Sequence, residues 1–78
     1  MKFTTKDLGE SRWVMFCYAD TQAERYEFIR WVQAQPANIF MGKNVRYWGG
    51  EPIEVRGGNP ADRTMLLLRW SKNHGQRT

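Results

Sequence analysis

The stretch Arg12-Trp13-Val14-Met15-Phe16-Cys17-Tyr18-Ala19, running through Asp20-Thr21-Gln22-Ala23-Glu24 to Pro36, decides the fold class. Residues 12–19 are aromatic and β-branched, with both alternating faces largely apolar. That pattern suits a central strand covered on both sides, or a first strand with one face only partly wet. At Thr21 the chemistry changes. Its hydroxyl can cap a helix, and Glu24 three residues on completes a capping box. Phe28, Ile29 and Val32 then fall on one stripe, with Tyr26 and Trp31 flanking it and Glu27, Arg30 and Ala34 opposite. Pro36 stops the helix. A strand followed by an amphipathic helix is the nucleus of an α+β domain.

Downstream, the pattern predicts three further strands. Residues 37–43 connect, with Phe40 and Met41 available to plug the core. Residues 44–48 and 53–56 flank Gly49-Gly50 and read as a hairpin. A two-residue loop would mix apolar and charged residues on each face. An odd-length loop instead pairs Tyr47 with Ile53, Val45 with Val55 and Arg46 with Glu54, so the buried face selects it. Gly57-Gly58-Asn59-Pro60-Ala61-Asp62 is dense in turn formers. A last strand is then expected from about Arg63 or Thr64 to Trp70. With a possible turn at Thr4–Leu8, the expected order is β-α-β-β-β. It implies a small, mostly antiparallel sheet packed by one helix.

The composition limits what such a chain can do. Its 78 residues form one domain, expected to span 1–70, and folding buries about 60% of the unfolded surface. The segment 71–78 has no apolar residue and is expected to be a loose basic tail. Cys17 is the single cysteine, so no intrachain disulfide is available. No signal-peptide pattern follows Met1, and no apolar run approaches the roughly 20 residues of a membrane helix. A cytoplasmic protein with no membrane association is expected. The formal charge is +4, falling to +2 without Lys72 and Arg77 of the tail. That permits nucleic-acid binding without demanding it.

Candidate chemistry is sparse. A reactive thiol needs an electropositive, partly exposed setting and a base held nearby, yet the one histidine, His74, lies in the tail. One cysteine and one histidine do not make a zinc site. The carboxylates have structural roles at hand: caps at Asp20 and Glu24, a cross-strand pair at Glu54, a turn at Asp62. Gly49-Gly50 and Gly57-Gly58 do not match a phosphate-cradling loop. Neither catalytic residues, nor a metal, nor a cofactor is expected.

The distinctive feature is arginine beside aromatics: Arg12-Trp13, Arg25-Tyr26, Arg30-Trp31, Arg46-Tyr47-Trp48 and Arg69-Trp70. In a strand, neighbours point to opposite faces, which puts arginine outside and the aromatic inside. Trp48 resists this, because parity sets it with Arg46, away from Val45 and Tyr47. Lys43, Arg46, Trp48, Arg56 and Arg69 are therefore the expected binding residues. Arginine and tryptophan are enriched at protein–protein hot spots, and they also serve phosphates and bases. The expected order fits neither the RNA-recognition motif, nor the double-stranded-RNA domain, nor a helix-turn-helix. The expected function is a protein-binding module, a stoichiometric adaptor or inhibitor of a larger protein or nucleoprotein complex, by analogy with bacterial and phage accessory factors. The alternative is binding of RNA or single-stranded DNA through a basic-aromatic sheet surface.

Overall fold

The computed structural model describes residues 1–35, 39–43 and 45–71. Its elements are β1 (Lys2–Gly9), β2 (Arg12–Tyr18), α1 (Gln22–Ala34), β3 (Ile39–Met41), β4 (Ile53–Gly57) and α2 (Pro60–Trp70). The strands form one antiparallel sheet in the order β1-β2-β4-β3. The class is α+β, but the order is β-β-α-β-β-α, which corrects the expected one at three places.

The first correction is at the start, where β1 replaces a turn. Lys2-Phe3-Thr4-Thr5-Lys6 pairs residue by residue with Tyr18 back to Val14. It is an edge strand, and its lysines hinder pairing with a further strand. Glu10 and Ser11 close the hairpin to β2, both with positive φ, 53° and 69°. Those are the backbone signs that two-residue hairpin turns require, here met by residues other than glycine or asparagine.

The second correction concerns 44–56. No 45–52 segment forms a strand, and β4 pairs instead with Met41 back to Ile39 and with β2. Ile53 and Val55 do lie on the buried face. Their neighbours there are Cys17 and Met15 of β2, not Tyr47 and Val45. Glu54 meets Arg56, two residues on, and not Arg46. Phe40 does not plug the core, since it is 60% exposed.

The third correction is α2 in place of a last strand. Asn59 caps it, its side chain accepting from the Ala61 N–H at 2.9 Å, and Pro60 occupies the first turn, where its missing N–H costs nothing. Asp62 in the first turn and Arg69 in the last complement the helix dipole. Leu66 and Trp70, four apart, are the residues it buries.

For α1 the expectation holds. Thr21 Oγ1 accepts from the Glu24 N–H at 3.0 Å, while Glu24 Oε1 accepts from the Asp20 N–H at 2.7 Å. Phe28, Ile29 and Val32 are buried, as the stripe requires. Both helices cover the face bearing Trp13, Met15, Cys17, Ile53 and Val55. Phe28 meets Trp70 edge-on with centroids 5.1 Å apart, joining the two helices. Arg63 of α2 reaches Asp7 of β1 at 2.8 Å. Pro36 and residues 72–78, including His74, lie outside the described residues.

Gly57 lies directly across from Trp13, and a methyl group on it would overlap the buried indole. Gly57→Ala should therefore destabilise the protein by about 2–3 kcal/mol, the cost of overpacking a rigid ring. Urea titration of the two proteins checks this, and Gly58→Ala, which meets nothing, should be near neutral in that contact.

Candidate binding surface

Residues 45–51 cross from the end of the sheet to the outer side of α1, and side chains of α1 hold them there. Arg25 is 2% exposed, so a permanent cation lies inside the protein. Two of its nitrogens meet backbone oxygens: Nε donates to Arg46 O at 2.9 Å, and Nη1 donates to Glu51 O, while Nη2 makes no hydrogen bond and lies 3.9 Å from Glu51 Oε1. The planar fork of guanidinium suits two carbonyls at fixed separation, which an ammonium would not match. One turn earlier, Gln22 makes a two-bond clasp with Gly49. Its Nε2 donates to Gly49 O at 2.8 Å, and its Oε1 accepts from Gly49 N at 3.1 Å. Gly49 has φ 135°, a conformation that favours glycine. The expectation that arginine lies outside and the aromatic inside is thus reversed at Arg25-Tyr26.

The clasped loop presents aromatic rings. Trp48 is 64% exposed and lies nearly parallel to Tyr26 of α1, centroids 6.0 Å apart. Tyr47 meets the same Tyr26 at 5.4 Å, and its hydroxyl donates to Gln33 Oε1 at 3.0 Å. Arg30, one turn after Tyr26, holds its guanidinium 5.8 Å from that ring and donates to its hydroxyl. Beyond Arg30 an open groove continues between the helices, lined by Tyr26, Arg30, Trp31, Arg69 and Trp70. Arg69 lies over the Trp70 ring at 5.1 Å. The outer side of α1 is thus a strip of aromatic and guanidinium groups, with one carboxylate, Glu27, in the groove.

The five residues expected from sequence do not share one surface. Trp48 and Arg69 lie along the strip, and Arg46 is exposed on the clasped loop. Arg56 is on the uncovered face of the sheet, and it lines a hollow there with Lys43. The sequence reading missed Tyr26 and Arg30 as partners of Trp48. Their four-residue spacing on a helix was a legible sign that they share a face.

Within the loop, Glu51 is the group whose titration is shifted. Its own backbone N–H holds the carboxyl below its ordinary range, aided by the nearby charges of Arg25 and Arg46 and opposed by partial desolvation. Cys17 is different. It is fully buried, and burial pushes its thiol up to about 12. Among the described residues, no three His, Cys, Asp or Glu side chains gather where they could hold a metal ion, and no helix is long and apolar enough to cross a membrane. The chain matches no protein-family model, no curated protein and no solved structure.

Two expectations follow. Arg25→Leu leaves two carbonyls without their donor and should cost about 2–4 kcal/mol in denaturant titration. Amide exchange over 46–51 should quicken while β2 stays protected. For Cys17, the unfolded chain releases its thiol proton above about pH 9, whereas the folded protein retains it to about 12. The thiol's contribution to stability is whole below pH 9 and declines as pH rises toward 12, by about 1.4 kcal/mol per unit. Cys17→Ala should flatten that part of the pH–stability curve, and native Cys17 should label with thiol reagents only after denaturant is added.

Proposed function

We propose that this protein is a non-enzymatic binding module that docks on a larger protein or nucleoprotein complex through the Trp48 strip, acting as a stoichiometric adaptor or inhibitor of the bacterial or phage accessory type. The observation that supports this reading is the way Trp48 is held. A large, exposed aromatic on an irregular loop would ordinarily lose conformational freedom on binding, at about 0.5–1.5 kcal/mol per side chain. Here Gln22, Arg25 and Tyr26 have restricted the loop and its ring in advance. Pre-ordered tryptophan and tyrosine, with arginine at hand, is the composition of hot spots in protein interfaces. An exposed tryptophan also risks non-specific association, and a protein carries that risk where the ring has a partner.

Catalysis is not part of the proposal. The thiol is buried with a raised pKa, and the carboxylates Glu24, Glu54, Asp7 and Asp20 are engaged in caps and ion pairs. The cellular setting that fits the chain is the cytoplasm.

Trp48→Ala tests the reading. Its stability cost should stay below about 1 kcal/mol, well under the 3–5 kcal/mol of a buried aromatic. A partner recovered with the full chain from nuclease-treated lysate should then bind the variant at least about 30-fold more weakly, the loss of a 2 kcal/mol hot spot. Unchanged affinity would remove Trp48 from the interface. Loss of the partner on nuclease treatment would point to nucleic acid as the target instead.

A further inference from the structure

The opposite side of the protein carries a second surface. Residues of β2 alternate, and Trp13, Met15 and Cys17 enter the core while Arg12, Val14, Phe16 and Tyr18 face away from both helices. The register extends this second face across all four strands. One row runs Lys6, Val14, Arg56, Phe40; the next runs Thr4, Phe16, Glu54; and Lys2 lies beside Tyr18. Among the described residues no helix packs on it, and only Val14 in its middle is buried. Phe40 is 60% and Tyr18 42% exposed, and Phe16 is half-buried. Phe16 and Phe40 line, with Lys43 and Arg56, an open hollow of about 800 Å³ at the β3 end.

The charge is unevenly divided. This face carries Lys2, Lys6, Arg12 and Arg56 against one carboxylate, Glu54. The remaining described residues carry six basic and seven acidic side chains. The positive charge of the folded part is therefore concentrated on the uncovered sheet. That one acid and its nearest neighbour are already engaged: Glu54 accepts from Arg56 Nε, and Glu51, outside the face at the rim of the hollow, lies 3.9 Å from Arg25. The Arg56 side chain remains 62% exposed.

We propose that this face binds single-stranded nucleic acid, with Phe16, Tyr18 and Phe40 as stacking platforms and Lys2, Lys6, Arg12 and Arg56 as phosphate contacts. Phe16 and Tyr18 lie about 7 Å apart along one strand, so each can take a separate base. Phe40 stands two strands over, about 10 Å across the sheet, and extends the track past Arg56. Aromatic rings interleaved with cations on an open groove are what sequence-tolerant single-strand binders use, because every base has a π-face. An acidic protein would use the cations but would leave three aromatic rings without a stacking partner. A duplex would meet the cations but keep its bases stacked inside. The proposal is independent of the Trp48 strip, which lies on the helix side.

The test uses the full chain and fluorescein-labelled oligodeoxythymidylate and oligouridylate of about 12 nucleotides, followed by anisotropy in about 50 mM salt. Binding to at least one is expected, with log K falling against log salt at a slope near −3, about 0.7 for each of four neutralised phosphates. Phe40→Ala, at an exposed site, should weaken binding at least fivefold with an unchanged thermal midpoint. Lys6→Gln should weaken it and make the slope shallower by about 0.7. Glu54→Gln frees Arg56 and should tighten it. Trp48→Ala should change nothing, which separates this surface from the other. The proposal is overturned by the absence of binding to both oligonucleotides, by Phe40→Ala binding as well as the parent, or by polyglutamate or duplex DNA competing as well as the single strand.

Discussion

Trp13 joins three parts of the fold through one ring. Its indole lies against Gly57 at the end of β4, where only a hydrogen leaves room for it. Its Nε1 donates to Asn59 O at 2.8 Å. Asn59 is also the cap of α2. The central strand pair, the tight exit from the sheet and the start of the second helix are thereby fixed relative to one another. A buried indole N–H needs a partner, and the exposed turn before α2 supplies a carbonyl that no sheet hydrogen bond uses. With α2 placed, Leu66 and Trp70 reach the core, and Trp70 meets Phe28 of α1. In a chain of this size, with no disulfide, such aromatic contacts stand in for a covalent link between layers.

Arg25 performs the corresponding task for the irregular part of the chain. A loop without its own ladder must satisfy its carbonyls elsewhere. Arg25 and Gln22 together take up the oxygens of Arg46, Gly49 and Glu51, and the Gly49 N–H. A buried guanidinium is costly unless acceptors surround it, and the loop supplies two carbonyls and, at 3.9 Å, the Glu51 carboxylate. The exposed rings of Tyr47 and Trp48 are a consequence of that arrangement, since the backbone turns inward and the side chains are left outside.

These two contacts also explain what the sequence could and could not disclose. β2 and α1 were legible because their signals are local: an apolar run, a Thr-x-x-Glu cap and a stripe ending at proline. α2 was misread because four residues is both one helical turn and an even number of strand residues, so Leu66 and Trp70 share a face in either structure. Asn59-Pro60 and Asp62 suit a turn and a helix start equally, and here they start the helix. β1 gave no alternation, since an edge strand beside solvent has little to bury. The 45–51 loop is held by side chains more than 20 residues away, and no local pattern records that. Trp48 is exposed as parity required, but for another reason: no strand exists there to set its parity. Of the five expected site residues, Trp48 and Arg69 lie on the helix side and Lys43 and Arg56 line the hollow on the sheet side, a separation set by the loop's path that no local pattern records.

The separation of the two surfaces is a property of the two-layer architecture itself. With both helices on one side of a four-stranded sheet, the protein has one face made of helix and loop and one made of bare strands. The first is patterned by a buried arginine and carries both charges in near balance, which suits a surface relying on shape and aromatic contact. The second inherits every outward residue of β1, β2, β3 and β4, and those residues include four cations and three aromatic rings but one acid. A sheet face whose only task was to remain in water could be built from threonine and charges, as β1 is at Thr4 and Lys6. Phe40 is the telling case. It sits on a three-residue strand at the sheet's edge, 60% exposed, between Ile39, which is in the core, and Met41, which packs against it. Its ring adds no core and leaves apolar area in solvent, a cost of roughly 25 cal/mol per Å² that contact with a flat π-surface would recover.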